Sequence, residues 1–453
     1  MFPRAAHPDG DDVLARDALV GERDRRGEDR QLLLDAILAA TEHLVITYSG
    51  ADERTGAARP PCVPVGELLD ALEDTVAPAD GRSARDQVVV RHPLQPFDVR
   101  NVTTDGLGLG RPFSYDPAAL AGARALLGER VPPAPFLAAP LLTRPDADIE
   151  LDQLVALLQN PARGFLRQRL DVAVPYEEQE PAEAIPVALD GLQKWGIGDR
   201  LLGDRLAGID PDEAMRAEWL RGAVPPGPLG RTAVRDAADN VERLVNASAR
   251  FRLPERQTVD VRIPLDGWTL LGSVGGLRDR TVLTVTYSNL SAKERLAAWI
   301  RLVALTAAQP DGGWTALTIG KGAKSSLLGP LDSALAQHTL AQLIQLYRRG
   351  LTEPLPLPVK TGSAYAESRS RFRQQEPAAL SRARNEWTTG QGVFPKEDAD
   401  AGYVEIWGPD CPFETLVSER PHPAERWSDD GTRFGQLAMR LWTPLLAAER
   451  QEQ

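Results

Sequence analysis

The spacing of apolar positions changes once near the start of the chain, and the change separates two predicted elements. Over residues 28–38 the apolar side chains recur at the i, i+3, i+4 spacing of a helix, at Leu33, Leu34, Ile37 and Leu38. Residues 44–48 then read Leu-Val-Ile-Thr-Tyr, a short β-branched and aromatic run that Ser49 and Gly50 end. The pattern predicts a helix followed by a buried strand, the unit from which α/β domains are built.

Proline dominates the pattern further along. Residues 65–72 carry an apolar helical stripe, whereas residues 91–98 predict an extended segment, because proline disfavours helix in the residue before it. Residues 131–148 have the Pro-rich composition of a linker. We therefore expect two parts, 1–130 and 149–453, on either side of that linker.

Helical and alternating patterns fill the second part. We expect an amphipathic helix over 149–170, with Arg163, Arg167 and Arg169 near its end, and more helix within 198–250. Three strands and a long helix should follow, at 258–263, 268–274, 281–288 and 291–308. The remaining predicted elements are a helix at 335–349, an Arg-rich helix at 364–385, a strand at 403–407 and a final helix at 434–449.

Composition narrows the classes of function. The chain has 453 residues, a 42% hydrophobic share and a net charge of −12, so bulk charge does not favour a protein that coats nucleic acid, although a local basic channel stays possible. Cys62 and Cys411 form no CxxC pair, and no GxxxxGK[ST] phosphate loop occurs. No apolar run of 18 residues and no signal-peptide pattern is present. We expect a cytoplasmic protein without a membrane span.

The first helix–strand unit resembles the last motif of UvrD-like DNA helicases. Glu28, Asp29 and Arg30 match its start, and residues 44–48 match its strand. The arginine by which those motors reach the ATP γ-phosphate falls on Ala39, which cannot stabilise a transferring phosphoryl group. The resemblance implies a degenerate helicase domain. A helix–strand pair of any other α/β domain would show the same pattern, and that alternative stays open.

The helix, three strands and helix of the second part resemble the order of PD-(D/E)XK nucleases. Such an enzyme needs carboxylates that hold Mg²⁺ and a lysine beside the attacking water. The resemblance puts those positions at Gly275, Thr286 and Ser288, which supply neither charge. Asp279 is the one carboxylate between Gly272 and Lys293. We therefore expect an inactivated nuclease-like α/β domain.

Several segments, in the same order, resemble the RecC family, the gamma subunits of exodeoxyribonuclease V (RecBCD). They lie at 59–65, 91–97, 154–166, 192–198 and 225–230. The similarity runs from about Met1 to the end and covers roughly the last two-fifths of a typical member, so we expect either a fragment or a late start.

The family resemblance implies a non-catalytic subunit that binds RecB-like and RecD-like partners and DNA. ATP and Mg²⁺ would then be bound by the partners, and this chain would hold no cofactor. The alternative is an active nuclease subunit of AddB type. That type typically carries iron–sulfur cysteines, for which two cysteines do not suffice.

Two groups of residues are candidates for contacting DNA. One is the start of the first helix, with Arg25, Arg26, Asp29 and Arg30. The other is an arginine cluster beside an aromatic ring, with Arg369, Arg371 and Arg373. Helix capping and surface ion pairing are the alternative role of the first group. For the second group the alternatives are contact with a partner subunit and a solvated helix face.

Overall fold

The computed structural model describes two compact units, divided between residues 133 and 134. The described residues are 25–52, 55–77, 81–129, 134–143, 148–174, 189–265, 268–390 and 395–452.

The first unit is helical. Its helices are α1 (Arg25–Ala39), α2 (Val63–Thr75), α3 (Ala84–Val88), α4 (Val99–Val102) and α5 (Pro117–Leu127). Ser83, Asp98 and Asp116 cap the last three, each side chain accepting a hydrogen bond from a backbone N–H of the first turn. The predicted helices over 28–38 and 65–72 are confirmed.

The predicted buried strand at 44–48 is wrong. These residues form no strand, and Val45 is 82% exposed. A strand needs a neighbour that satisfies its N–H and C=O groups, and among the described residues the one bridge nearby joins Ala51 to Ala58.

The second unit begins with β1 (Ile149–Glu150), α6 (Leu151–Gln159) and α7 (Pro161–Gly164), and a π-helical turn over Phe165–Arg169 follows. The single helix predicted for 149–170 is therefore broken. Pro161 has no N–H to continue the helix, and the Asn160 side chain accepts a hydrogen bond from Arg163 N instead.

A helical layer and a β-sheet come next. The elements are α8 (Gly191–Leu206), α9 (Pro211–Leu220), α10 (Gly227–Arg252), β2 (Arg256–Leu265), β3 (Trp268–Arg278), β4 (Thr281–Val285), α11 (Ala292–Ala308), β5 (Thr315–Ile319) and β6 (Ser325–Leu328). The strands predicted at 258–263 and 268–274 and the helix at 291–308 are confirmed. The strand predicted at 281–288 ends early, at Val285.

The C-terminal part packs helices on this sheet and closes with one more strand. It contains α12 (Ser333–Gly350), α13 (Val359–Ser370), α14 (Glu376–Trp387), α15 (Ala401–Trp407), α16 (Phe413–Val417), α17 (Arg433–Ala448) and β7 (Glu449–Glu452). The helices predicted at 335–349 and 434–449 are confirmed.

Two predictions in this part are wrong. The single helix at 364–385 is divided into α13 and α14, because Arg373 takes a left-handed φ of 51° between them. Residues 403–407, predicted as a strand, belong to the helix α15. The Asp400 side chain caps the first turn of this helix by accepting a hydrogen bond from Gly402 N. A five-residue segment with four apolar side chains fits either element, and the cap favours the helix.

The sheet that the described residues form has seven strands and is mixed. β3 pairs antiparallel with β2 along its whole length, and its other edge pairs with β1 and then with β4. β4 and β5 are parallel, while β5, β6 and β7 are antiparallel neighbours. The parallel pair places the ends of β4 and β5 side by side, which positions the site described below.

Helices cover both faces of the sheet. Val282 and Ala316 point into the larger core, which includes α6, α11, α12 and α17. Leu317 and Ile319 point the other way, into a second core formed with α8–α10. Successive strand residues face opposite sides, so this alternation makes a three-layered α/β/α arrangement.

Candidate nucleic-acid interface

The predicted nuclease positions Thr286 and Ser288 lie just beyond the end of β4. The Thr286 N–H donates to the Ile319 carbonyl at 3.0 Å, which continues the pairing with β5 for one more residue. The Lys321 N–H donates to the Ser288 carbonyl at 2.8 Å. The two positions therefore lie against the β5–β6 turn.

Side chains from α8 occupy the space at this strand end. The Trp195 indole Nε1–H donates to Ser288 Oγ at 3.0 Å. Tyr287, between the two predicted positions, is 4% exposed and belongs to the second core. The hydroxyls here thus make protein contacts: the Ser288 N–H also donates to Thr286 Oγ1 at 3.2 Å.

Local sequence explains how α8 reaches this position. Asp190 and Gln193 form a capping box that fixes where the helix begins, and Trp195 follows in its next residues. Gly198 then allows the close approach, since a Cβ there would lie 2.0 Å from the Tyr287 ring. Only a residue without a side chain fits between α8 and the ring.

The surroundings of the Tyr287 phenol disfavour its ionisation. Burial raises its pKa, a hydrogen bond with Asn240 opposes the shift, and the negative charge of Asp236 adds to it. The phenol therefore serves as a packing and hydrogen-bonding group in the second core.

The other predicted nuclease positions lie apart from this cluster. Gly275 is an exposed residue of β3. Asp279, with φ 54°, forms the turn between β3 and β4, at the opposite end of β4 from Thr286. No three His, Cys, Asp or Glu side chains within the described ranges are grouped so that they could hold a metal ion.

A turn with two lysines borders the same strand end. Lys321 and Lys324 are exposed, and the Gly320 N–H donates to the Lys324 carbonyl at 2.9 Å across the turn. Gly322 and Ala323 take the left-handed φ values of 78° and 59°. Lys321 Nζ lies 5.0 Å from the centre of the Tyr287 ring, at cation–π distance.

Sequence reasoning did not single out Trp195, Lys321 or Lys324. A signal was available, because two of the six lysines in the chain fall within four residues of each other. Proximity to Ser288 could not be read from the sequence, since residues 195, 288 and 321 meet only through the sheet and the helical layer.

The predicted arginine cluster is mostly engaged inside the second unit. Arg369 Nε donates to Asp430 Oδ1 at 2.8 Å, and Arg371 donates to Glu449 Oε2 at 2.6 Å. Both carboxylates have fully buried side chains. A buried carboxylate needs such a partner, which gives these arginines a structural role. Arg373 remains an exposed residue between α13 and α14.

In the first unit, the predicted DNA-contacting residues differ in exposure. Arg25 and Arg26 begin α1, and their side chains lie outside the described residues. Asp29 is 4% exposed, whereas Arg30 donates to Glu67 at 2.6 Å on the surface. Ala39 is exposed at the end of α1.

Among the described helices, none has the length and apolar character needed to cross a lipid bilayer.

Comparison with known proteins identifies relatives along almost the whole chain. The family profile described as "RecC C-terminal domain" matches residues 146–370. "RecBCD enzyme subunit RecC" of Mycobacterium tuberculosis is 44% identical over 99% of this chain and 40% of its own length. The protein of that name in Mycolicibacterium smegmatis is 43% identical over 99% of the chain and 41% of its own length. The Escherichia coli protein of that name is 26% identical over 90% of this chain and 37% of its own length. The chain thus spans about two-fifths of the length of these curated relatives.

Proposed function

This chain belongs to the RecC family, corresponding to the C-terminal portion of its members, and from that premise we propose that it acts as a non-catalytic part of a RecBCD-type helicase–nuclease. In this role it holds RecB-like and RecD-like subunits together and helps to split and channel the DNA strands. It contributes to recognition of Chi-type sites during double-strand break repair in the cytoplasm. The partners bind the ATP and Mg²⁺, and the chain itself carries no cofactor.

We further propose that residues 149–453 are an inactivated PD-(D/E)XK nuclease-like domain. The order α6, β2, β3, β4, α11, β5, with antiparallel β2–β3–β4 and parallel β4–β5, supports this assignment. The helices α8–α10 are then an insertion between α6 and β2. For residues 1–130 we propose a remnant of a UvrD-like helicase domain, joined through 131–148, with Ala39 in place of the catalytic arginine.

One observation carries the proposal that the chain is not a nuclease. The position of the nuclease lysine is Ser288, and its hydroxyl accepts a hydrogen bond from Trp195 at 3.0 Å. An indole from the inserted helix thus fills the space beside the strand end where an enzyme would hold a hydrated Mg²⁺. Thr286 and Ser288 therefore provide neither the metal-binding carboxylate nor the lysine that cleavage requires at these positions.

The alternative of an active AddB-type subunit is not supported. The relatives that match this chain are named as RecC subunits of RecBCD.

Reconstitution tests the proposed function. RecB-type and RecD-type subunits of the same organism are mixed with the chain and passed over a sizing column. Unwinding of a linear duplex is then measured with ATP and Mg²⁺. We expect co-elution and faster unwinding in the presence of the chain, and no DNA cleavage by the chain alone.

Two results would contradict the proposal. One is EDTA-sensitive degradation of linear DNA by the chain alone. The other is a pair of results: the chain does not co-elute with the partners, and the unwinding rate is the same with and without the chain. Partners mixed with heat-unfolded chain provide the baseline for both measurements.

A further inference from the structure

Trp195, Ser288, Lys321 and Lys324 form one surface beside the end of β4, which we call the Trp–Lys patch. We propose that this patch binds single-stranded DNA, with a base stacked on Trp195 and backbone phosphates against the two lysines. The proposal rests on the proposed function, because that function brings separated strands to the chain. It assigns the contact to a specific surface that sequence reasoning did not identify.

Trp195 has the properties of a stacking platform. Its side chain is large and aromatic, the residue is 41% exposed, and the hydrogen bond from Nε1 to Ser288 Oγ anchors the edge of the indole. A ring that is already held in place loses little conformational freedom when a base stacks on it. A buried structural tryptophan differs clearly from it: Trp299 in α11 is fully buried.

The lysines supply charge for the DNA backbone. Lys321 and Lys324 are both exposed, and neither lies within ion-pair distance of a carboxylate in the described part of the chain. The Lys321 ammonium is oriented over the Tyr287 ring, next to the residue that Trp195 contacts. The stacking surface and the positive charge therefore meet at one strand end, the arrangement that single-strand-binding grooves use.

The lost nuclease residues favour binding at this site. The carboxylate that a nuclease would carry at position 286 would repel a phosphate unless a metal ion lay between them, and Thr286 has no such charge. Hydroxyl groups and nearby ammonium groups attract the phosphate without a metal. Asp199 on α8 and Asp236 on α10 are exposed acids on the flanking helices, so the attraction is local and should weaken steeply with salt.

An unpaired strand fits the patch better than a duplex. Stacking on Trp195 needs an exposed base face, which paired bases do not offer. An acidic peptide of a partner protein would be attracted by the lysines but would gain no comparable base stacking, and it is the alternative that the experiment must exclude.

Fluorescence anisotropy with a labelled 15-nucleotide single strand tests the proposal on the full chain at low salt. We expect Trp195→Ala to weaken binding about tenfold, as for the loss of one stacked base. Trp195→Phe should retain most of the affinity. Lys321→Ala combined with Lys324→Ala should reduce the slope of log affinity against log salt by about 1.4, at about 0.7 for each phosphate contact.

Matched variants control for folding and for bulk charge. Trp219→Ala removes a tryptophan of similar exposure, 38%, from α9. Arg216→Ala combined with Lys360→Ala removes two exposed positive charges outside the patch. Both controls should bind the strand like the unmodified chain, and thermal unfolding of every variant verifies the fold.

The outcomes separate this proposal from the proposed function. If Trp195→Ala and the double lysine variant bind the strand like the controls, the patch is not the site, even if the complex still unwinds DNA. If these variants instead lose RecB-type or RecD-type subunits while strand affinity is unchanged, the patch is a protein-binding surface and the proposal is wrong. Binding through the patch without co-elution of partners would refute the proposed function alone.

Discussion

Glu449 has a buried carboxylate that pairs with two arginines, so replacing it tests how much these ion pairs stabilise the second unit. It begins β7, and its side chain is fully buried. Arg295 Nε donates to Glu449 Oε1 at 2.7 Å, Arg371 donates to Oε2 at 2.6 Å, and the Ser326 hydroxyl donates as well. One carboxylate thus joins α11, the end of α13, β6 and β7. We expect Glu449→Gln, which keeps the shape and removes the charge, to destabilise the second unit.

The magnitude follows from what the substitution leaves behind. Removing one partner of a buried ion pair costs about 3–5 kcal/mol, because the other charge stays buried without compensation. Glu367 also contacts Arg295, at 2.6 Å, and the Arg371 side chain is 28% exposed and can turn toward water. These two effects reduce the cost, so we expect a loss of about 3 kcal/mol in the free energy of unfolding.

Urea unfolding at pH 7, followed by circular dichroism, measures this loss. Arg384→Ala is the control, since its ion pair with Glu414 joins side chains that are 54% and 65% exposed, and it should cost less than about 1 kcal/mol. Equal effects of the two substitutions would refute the reasoning, because they would show that burial does not determine the strength of these ion pairs.

Three further predictions concern pH and packing. Burial opposes ionisation of Glu449, but the hydrogen bond and charge of Arg295, together with Ser326 and Arg371, outweigh burial and lower the pKa of Glu449. The ionised Glu449 side chain therefore contributes its full stabilisation above the unfolded-state pKa of about 4.3. That stabilisation is lost as the pH falls through the lower folded-state pKa. Urea midpoints between pH 7 and 3 should fall less steeply for Glu449→Gln, and parallel curves would contradict this. Gly198→Ala should lower the free energy of unfolding by about 1–3 kcal/mol, because the added methyl group clashes with Tyr287. Gly203→Ala on the same helix is the control: its Cβ would lie in open space, so it should raise the free energy of unfolding by up to about 1 kcal/mol in the same urea assay. Trp387→Phe should lower the free energy of unfolding by about 1–2 kcal/mol more than Trp299→Phe, measured by thermal unfolding. The reason is that Trp387 Nε1 donates to the Cys411 carbonyl, whereas Trp299 Nε1 has no partner within the described residues. A smaller loss for Trp387→Phe than for Trp299→Phe would refute this prediction.

Periodicity predicted those elements whose apolar pattern is long enough to define a period. β2 alternates from Thr258 to Leu265, and α17 carries an apolar stripe at Leu437, Leu441 and Leu445, so both elements are predictable from the sequence. The strand expected at 403–407 is a helix because a segment of five residues is too short to define a period, and the cap at Asp400 favours the helix. The segment at 44–48 failed for a different reason: a strand depends on a neighbour, which a single stretch of sequence does not reveal.

The candidate site shows the same limit. The sequence indicated that Gly275, Thr286 and Ser288 lack the groups of a nuclease, since that is a property of single positions. It could not indicate that Trp195 lies against Ser288, because the contact joins residues 93 positions apart. The arginines at 369 and 371 were identified as a basic cluster, but their buried partners, Asp430 and Glu449, lie far along the chain.

The position of β7 has a consequence for synthesis on the ribosome. Its four residues, 449–452, cover the edge of β6, and Glu449 neutralises arginines contributed by α11 and α13. Until this segment leaves the exit tunnel, the β6 edge of the nascent sheet is unpaired, Arg371 lacks its Glu449 partner, and Arg295 has Glu367 but not Glu449. Chains released before residue 449 should therefore be favoured substrates for chaperones and proteases.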